Sequence, residues 1–177
     1  GEAGAPVFKS YPAQQSYVLA AAGLALFVNT ATLLTYNCRD AEYVEVFYSV
    51  KGVDVGQHLL ALTLLVYPFG LPTAAPAKVS IVAGALLTLL GCGLRYASVF
   101  AAGGTYARYN LIMSGQVLLA FAQSMLLNPL MEISTSWFDI LDRDWAAKAL
   151  HLAAPAGHVA GAAGASLWLE GTDGDLN

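Results

Sequence analysis

The chain has 177 residues, of which 57% are hydrophobic and 11% are charged, against about 25% charged residues in an average soluble domain. Its formal net charge at pH 7 is -4 and it has no basic run, so we expect no nucleic-acid partner. Its two cysteines, Cys38 and Cys92, lack CxxC spacing and indicate neither a disulfide framework nor a structural zinc site.

The charged residues fall in clusters that are separated by long uncharged runs. A bilayer core of about 30 Å needs about 20 apolar residues per helix, and several runs approach that length. Several of them are apolar on all sides, which favours lipid over the alternative of a soluble, alanine-rich bundle. We therefore predict an all-α, multi-pass integral membrane protein of about five transmembrane helices. Its expected partners begin with the lipid bilayer in which these helices are embedded.

The same pattern divides the chain into a polar leader at 1–16, a transmembrane bundle at 17–169 and a polar tail at 170–177. The predicted spans cover residues 17–36, 55–71, 78–99, 110–133 and 145–168.

The first span has Tyr17 and Tyr36 at its two ends, where amphipathic rings favour the membrane interface. Asn29, Thr30 and Thr32 interrupt its second half. Two interpretations are open: the threonines bond their own helix and the amide bonds a neighbouring helix, or these side chains form the wall of a solute cavity.

The second and third spans are joined by a short connection and therefore lie antiparallel. Pro68 and Pro72 close the second span, where proline frees a backbone carbonyl and bends the helix. Arg95 marks the far end of the third span. That span also carries three glycines, which predict close approach to another helix: Gly84, Gly91 and Gly93.

The fourth span carries unusually many polar side chains for an apolar segment. Gln116, Gln123, Asn128 and Glu132 all lie inside it. Amides inside a membrane bundle bond across to other helices or line a cavity. The segment ends at Trp137 and Phe138, an aromatic pair followed directly by charged residues, as is typical of a membrane interface.

The fifth span runs between Trp145 and Trp168 and has an interior of small residues. Gly157 and Gly161 predict a helix-packing surface. His151 and His158 are seven residues apart and share a face, so a haem or metal pair, or a proton-responsive site, is one hypothesis. A helix-end histidine with a hydrogen-bonded interior histidine is the other. We favour the second, because Pro155 between them disturbs their alignment.

The fourth span and its exit follow the pattern GQxLxxxAQxxxLxxPxxxxxxWF. This pattern resembles the fourth transmembrane helix of the feline leukaemia virus subgroup C receptor-related transporters, in the major facilitator superfamily. The matching residues are Gly115, Gln116, Leu118, Ala122, Gln123, Leu127, Pro129, Trp137 and Phe138.

The resemblance extends from Tyr17 to about Trp168 and implies the first five helices of a transporter's N-terminal half, with its N-terminus in the cytoplasm. It implies alternating-access transport of a small polar or cationic solute. The implied cavity wall contains five residues: Asn29, Tyr36, Gln116, Gln123 and His158.

The chain also departs from that family. Leu33 and Ala156 stand where the family carries a cavity tryptophan and glutamine, and residues 73–77 replace the acidic-basic-glycine loop between helices two and three. The sixth helix and the second half are absent from this sequence. We therefore expect a fragment or N-terminal half that works with the missing C-terminal half or other membrane helices. The alternative is a non-transporting membrane subunit that packs within a larger complex.

No GxSxG, HExxH, CxxC or P-loop spacing occurs, and no nucleophile–base pair is apparent. We therefore expect neither enzymatic activity nor a bound metal or cofactor.

Overall fold

The computed structural model describes residues 12–35, 55–70, 75–101 and 105–173. These stretches contain helices and short turns and no strand, so the all-α class is confirmed for them. The helices are α1 (Pro12–Leu34), α2 (Val55–Gly70), α3 (Ala77–Phe100), α4 (Thr105–Leu127), α5 (Leu130–Trp137) and α6 (Arg143–Asp173). Tyr36 lies outside the described residues.

Three helical stretches are long and apolar enough to cross a membrane: Pro12–Leu33, Ala77–Phe100 and Tyr106–Trp137. The apolar part of α2, Gln57–Phe69, is shorter than a span. The 31-residue α6 is long enough but is not among these stretches, and it carries Arg143, Asp144 and Lys148 in its first turns. The structure therefore supports a membrane-embedded protein with three candidate spans.

The outer surface fits a lipid environment. On α3, Leu86, Leu89 and Leu90 are 56%, 69% and 59% exposed, and large apolar side chains on the other long helices are exposed in the same way. Soluble monomers rarely expose contiguous apolar surface of this kind.

The predicted fourth span is one continuous segment, but the structure divides it at Asn128–Pro129 into α4 and α5. Pro129 has no N–H group for the helix ladder, and its ring displaces the carbonyl of the preceding turn. Regular bonding resumes at once, since the Ile133 N–H donates to the Pro129 carbonyl over 2.9 Å. A single proline therefore interrupts the regular helix at residues 128–129, and helix resumes at Leu130.

Helix α4 is central, because α1, α2 and α3 all pack against it, while α6 packs along α1. The order of the contacts between them shows that α1, α3 and α6 run in one direction and α2 and α4 in the other. One end of the bundle is closed by a buried apolar cluster: Ala22, Leu26, Leu126, Leu130, Ile133 and Leu150.

Glycines set the spacing between α3 and α4. A Cβ atom on Gly91 would lie 2.9 Å from the Gly115 carbonyl oxygen, and one on Gly84 would lie 2.8 Å from Leu126. The predicted packing role of these two glycines is confirmed. It is wrong for Gly93, around which a Cβ atom would meet no described atom within 4 Å.

The contact between α1 and α6 is built in the same way. A Cβ atom on Gly157 would overlap the Thr30 hydroxyl, and one on Gly161 would overlap the Ala31 carbonyl oxygen. Both glycines are buried. The predicted packing surface on α6 is thus confirmed, and its partner is α1.

Candidate functional site

A cavity of about 280 Å³ lies where α1, α2, α4 and α6 meet. Eight residues line it: Leu33 from α1; Leu60, Thr63, Leu64 and Tyr67 from α2; Gln123 and Leu127 from α4; and His158 from α6. Four leucines form an apolar part of the wall, and four polar side chains interrupt it.

Three of the polar side chains converge on the cavity from three different helices: Tyr67, Gln123 and His158. Within the described residues none of the three has a hydrogen-bond partner. All three side chains are only partly buried, so their polar groups are accessible to water or to a ligand that enters the cavity. The sequence-predicted site residues Gln123 and His158 are thus brought together, and Tyr67 joins them.

The fourth polar residue, Thr63, is held by a hydrogen bond from Gln116, a buried residue of α4 that does not line the cavity. The Thr63 hydroxyl donates to the Leu59 carbonyl over 2.8 Å and accepts from Gln116 Nε2 over 2.8 Å. Gln116 is only 1% exposed and does not line the cavity. Its Oε1 atom is buried and has no partner among the described residues. Gln116 is therefore a positioning residue for Thr63 here.

Asn29, which the sequence also placed in the cavity wall, lies elsewhere. It is fully buried, and its Nδ2 donates to Thr88 Oγ1 over 3.0 Å and to the Leu119 carbonyl over 3.1 Å. Thr30 and Thr32 bond carbonyls of their own helix. Of the two interpretations of this segment, the structure favours interhelical and local bonding over a cavity wall, because a neighbouring helix covers the Asn29 side of α1.

The two histidines of α6 differ in environment. His158 is partly buried and faces the cavity, whereas His151 is exposed and does not line it. His158 has no hydrogen-bond partner in the described part of the chain, which differs from the predicted hydrogen-bonded interior histidine. No group of three or more metal-ligating side chains occurs among the described residues.

Sequence reasoning missed the contribution of α2. Leu60, Thr63, Leu64 and Tyr67 follow the spacing i, i+3, i+4, i+7, so they lie on one face of that helix. The spacing alone could have identified the face, but not which neighbour it meets.

Arg95 is also placed differently from the prediction. It was expected to mark an interfacial helix end, but it is only 6% exposed, and its Nη1 donates to the Thr32 carbonyl over 2.6 Å. The last carbonyls of a helix have no partner within that helix. Arg95 of α3 therefore caps the end of α1, where a positive charge also suits the helix dipole.

A second and larger groove of about 540 Å³ runs between α1 and α6. Its lining is apolar apart from Ser16 and the indole of Trp145. It lacks the converging polar groups of a specific site, so we regard the smaller cavity as the functional candidate.

No protein-family model, curated protein or solved structure matches the chain.

Proposed function

We propose that this chain forms one helical bundle of an alternating-access membrane transporter for a small polar or cationic solute, and that the cavity is its solute site. The observation that carries the proposal is the convergence of Tyr67, Gln123 and His158, each without a described protein partner, on one cavity in an apolar bundle. A solute would supply the missing hydrogen bonds.

In this proposal the chain crosses the membrane five times, through α1, α2, α3, the α4–α5 segment and α6. Helices α1, α3 and the α4–α5 segment meet the length and hydropathy of a span. We place α2 and α6 beside them in the bilayer because both contribute side chains to the cavity. On this view α6 lies in lipid through its long uncharged middle, with Trp145 at one interface.

Alternating access in this type of fold needs two bundles that rock about a shared midplane site. We therefore propose that a second bundle, the C-terminal half expected from the family resemblance, covers the cavity from the opposite side. The resemblance of the fourth span adds to this proposal, since Gln123 belongs both to the quoted pattern and to the cavity wall.

A non-transporting membrane subunit is the competing proposal. Leu33 supports it, because this leucine lines the cavity at the position where the resembling family carries a tryptophan. The glycine faces support it less, because Gly91 and Gly157 are already packed against helices of this chain.

Transport can be tested with the full-length product of the gene, reconstituted in proteoliposomes and offered a panel of labelled neutral and cationic solutes. We expect protein-dependent uptake of at least one solute. Gln123→Leu should lower its initial rate about tenfold, the factor that corresponds to the loss of one buried hydrogen bond. Gln14→Leu makes the same chemical change at an exposed position of α1 and should leave the rate unchanged.

If no solute in the panel is taken up and the protein purifies from native membranes with a partner in fixed stoichiometry, the competing proposal is favoured. Equal rates for Gln123→Leu and Gln14→Leu would show that transport does not use this cavity.

A further inference from the structure

The donors and acceptors of the cavity wall narrow the class of solute. We propose that the solute is an uncharged amphipathic molecule with a hydrogen-bond-donating head, such as a primary amide or a hydroxyl, and a short apolar body. This inference rests on the proposed function of the cavity.

The apolar body is matched by four leucine side chains. Leu33, Leu60, Leu64 and Leu127 come from three helices and make up half of the lining residues. An engineered apolar cavity of about 150 Å³ holds one benzene molecule, so 280 Å³ accommodates a solute of roughly ten non-hydrogen atoms.

Charge complementarity argues against an ionic solute. No aspartate, glutamate, lysine or arginine is among the eight lining residues. A cation in the cavity would lose its hydration without gaining a counter-charge. Among the eight lining residues Tyr67 is the only phenylalanine, tyrosine or tryptophan, whereas cation-binding cages use several such rings. An anion would meet only His158 among the ionisable nitrogens of the wall, and transferring an unpaired ion into a membrane interior is costly.

The donating head is required at the Thr63 side of the cavity. The Thr63 hydroxyl hydrogen is committed to the Leu59 carbonyl, so its oxygen can only accept a further hydrogen bond. The Thr63 oxygen already accepts one hydrogen bond from Gln116 Nε2, which leaves one acceptor position for a solute. A solute that offers N–H or O–H groups matches this side, and one that offers only acceptors does not.

The two isomers pentanamide and N,N-dimethylpropanamide provide a matched test, because only the first carries N–H donors. Pentylammonium and pentanoate supply a cation and an anion of similar size. Equilibrium binding of each to the full chain in lipid nanodiscs can be measured by ligand-observed NMR. We expect pentanamide to bind about tenfold more tightly than any of the other three probes, the factor for one well-placed hydrogen bond.

Variants of Thr63 identify the acceptor. Thr63→Val keeps the shape and removes the oxygen, so it should abolish the preference for pentanamide over its isomer, and Thr63→Ser should retain the preference. Thr135→Val is the control, since Thr135 is an exposed threonine of α5 that bonds its own helix in the same way. It should leave all four affinities unchanged.

The possible failures are distinguishable. Tighter or equal binding of N,N-dimethylpropanamide, pentylammonium or pentanoate, or an unchanged preference in Thr63→Val, would overturn the inference and leave a solute cavity in place. Binding of none of the four probes would overturn the inference and the proposed solute site together.

Discussion

Asn29 and Gln116 each link neighbouring helices through the side-chain amide nitrogen. Asn29 gives its Nδ2 group to α3 and α4, and Gln116 gives its Nε2 group to α2, while the oxygen of each stays buried without a described partner. The sequence predicted that amides in the spans would turn inward, and both do. It could not predict which of them meets the cavity, because Gln116 and Gln123 share a face of α4 and differ only in what α2 covers.

Asn29→Ala should lower the free energy of unfolding by about 1 kcal/mol, the usual worth of an interhelical hydrogen bond in a membrane bundle. The loss should appear in equilibrium unfolding of the protein in mixed micelles. Asn110→Ala removes an exposed asparagine from α4 and should have little effect. A loss of the same size in both variants would mean that the Asn29 bonds contribute nothing specific.

At the scale of helices, pairing depends on which glycines face a neighbour. Gly84 and Gly91 are seven residues apart, two turns of α3, and both meet α4, whereas Gly93 lies on the opposite side. The sequence predicted three packing glycines because composition does not say which side of an apolar helix meets protein and which meets lipid. The interruption at residues 128–129 was not predicted, because the sequence indicates one continuous span over residues 110–133.

Gly157→Ala should destabilise the protein by about 2 kcal/mol, because the added methyl group overlaps the Thr30 hydroxyl and forces α6 away from α1. Gly164→Ala adds the same methyl group to the same helix where no described atom lies within 4 Å. It should be neutral or slightly stabilising, since alanine favours helix more than glycine does. Unfolding in mixed micelles compares the two, and equal stability would exclude a close α1–α6 contact.

At the scale of the whole molecule, the directions of the helices fix which connections share a side of the membrane. Helix α3 runs one way and the α4–α5 segment returns, so the residue after α3 and the turn before α6 lie at opposite ends of the bundle. The sequence predicted five spans, and consecutive spans cross the membrane in opposite directions; for the second and third the short connection also predicted this. The basic residues do not orient the protein, because with the five predicted spans four of the eight fall on each side of the membrane.

The side of each connection can be measured in a cysteine-free background, Cys38→Ala with Cys92→Ala, into which single cysteines are introduced. An impermeant thiol reagent added to sealed vesicles then labels only the cysteines on the outer side. Lys78→Cys and Asp142→Cys, both at exposed positions, should react from the same side. Ala101→Cys should react only from the other side. Labelling of Ala101→Cys and Asp142→Cys from one common side would contradict the bundle.

The glycine contacts have a mechanical consequence. Helices whose backbones touch, as α3 and α4 do at Gly91 and Gly115, slide or separate only with difficulty, and α1 and α6 are joined equally closely at Gly157. Two closely packed helix pairs, α3 with α4 and α1 with α6, therefore carry Gln123 and His158 respectively, and α2 packs against α4. A rearrangement that widens the cavity meets least resistance between the two helix pairs. Hydrogen bonds of Asn29 and Arg95 join the pairs there.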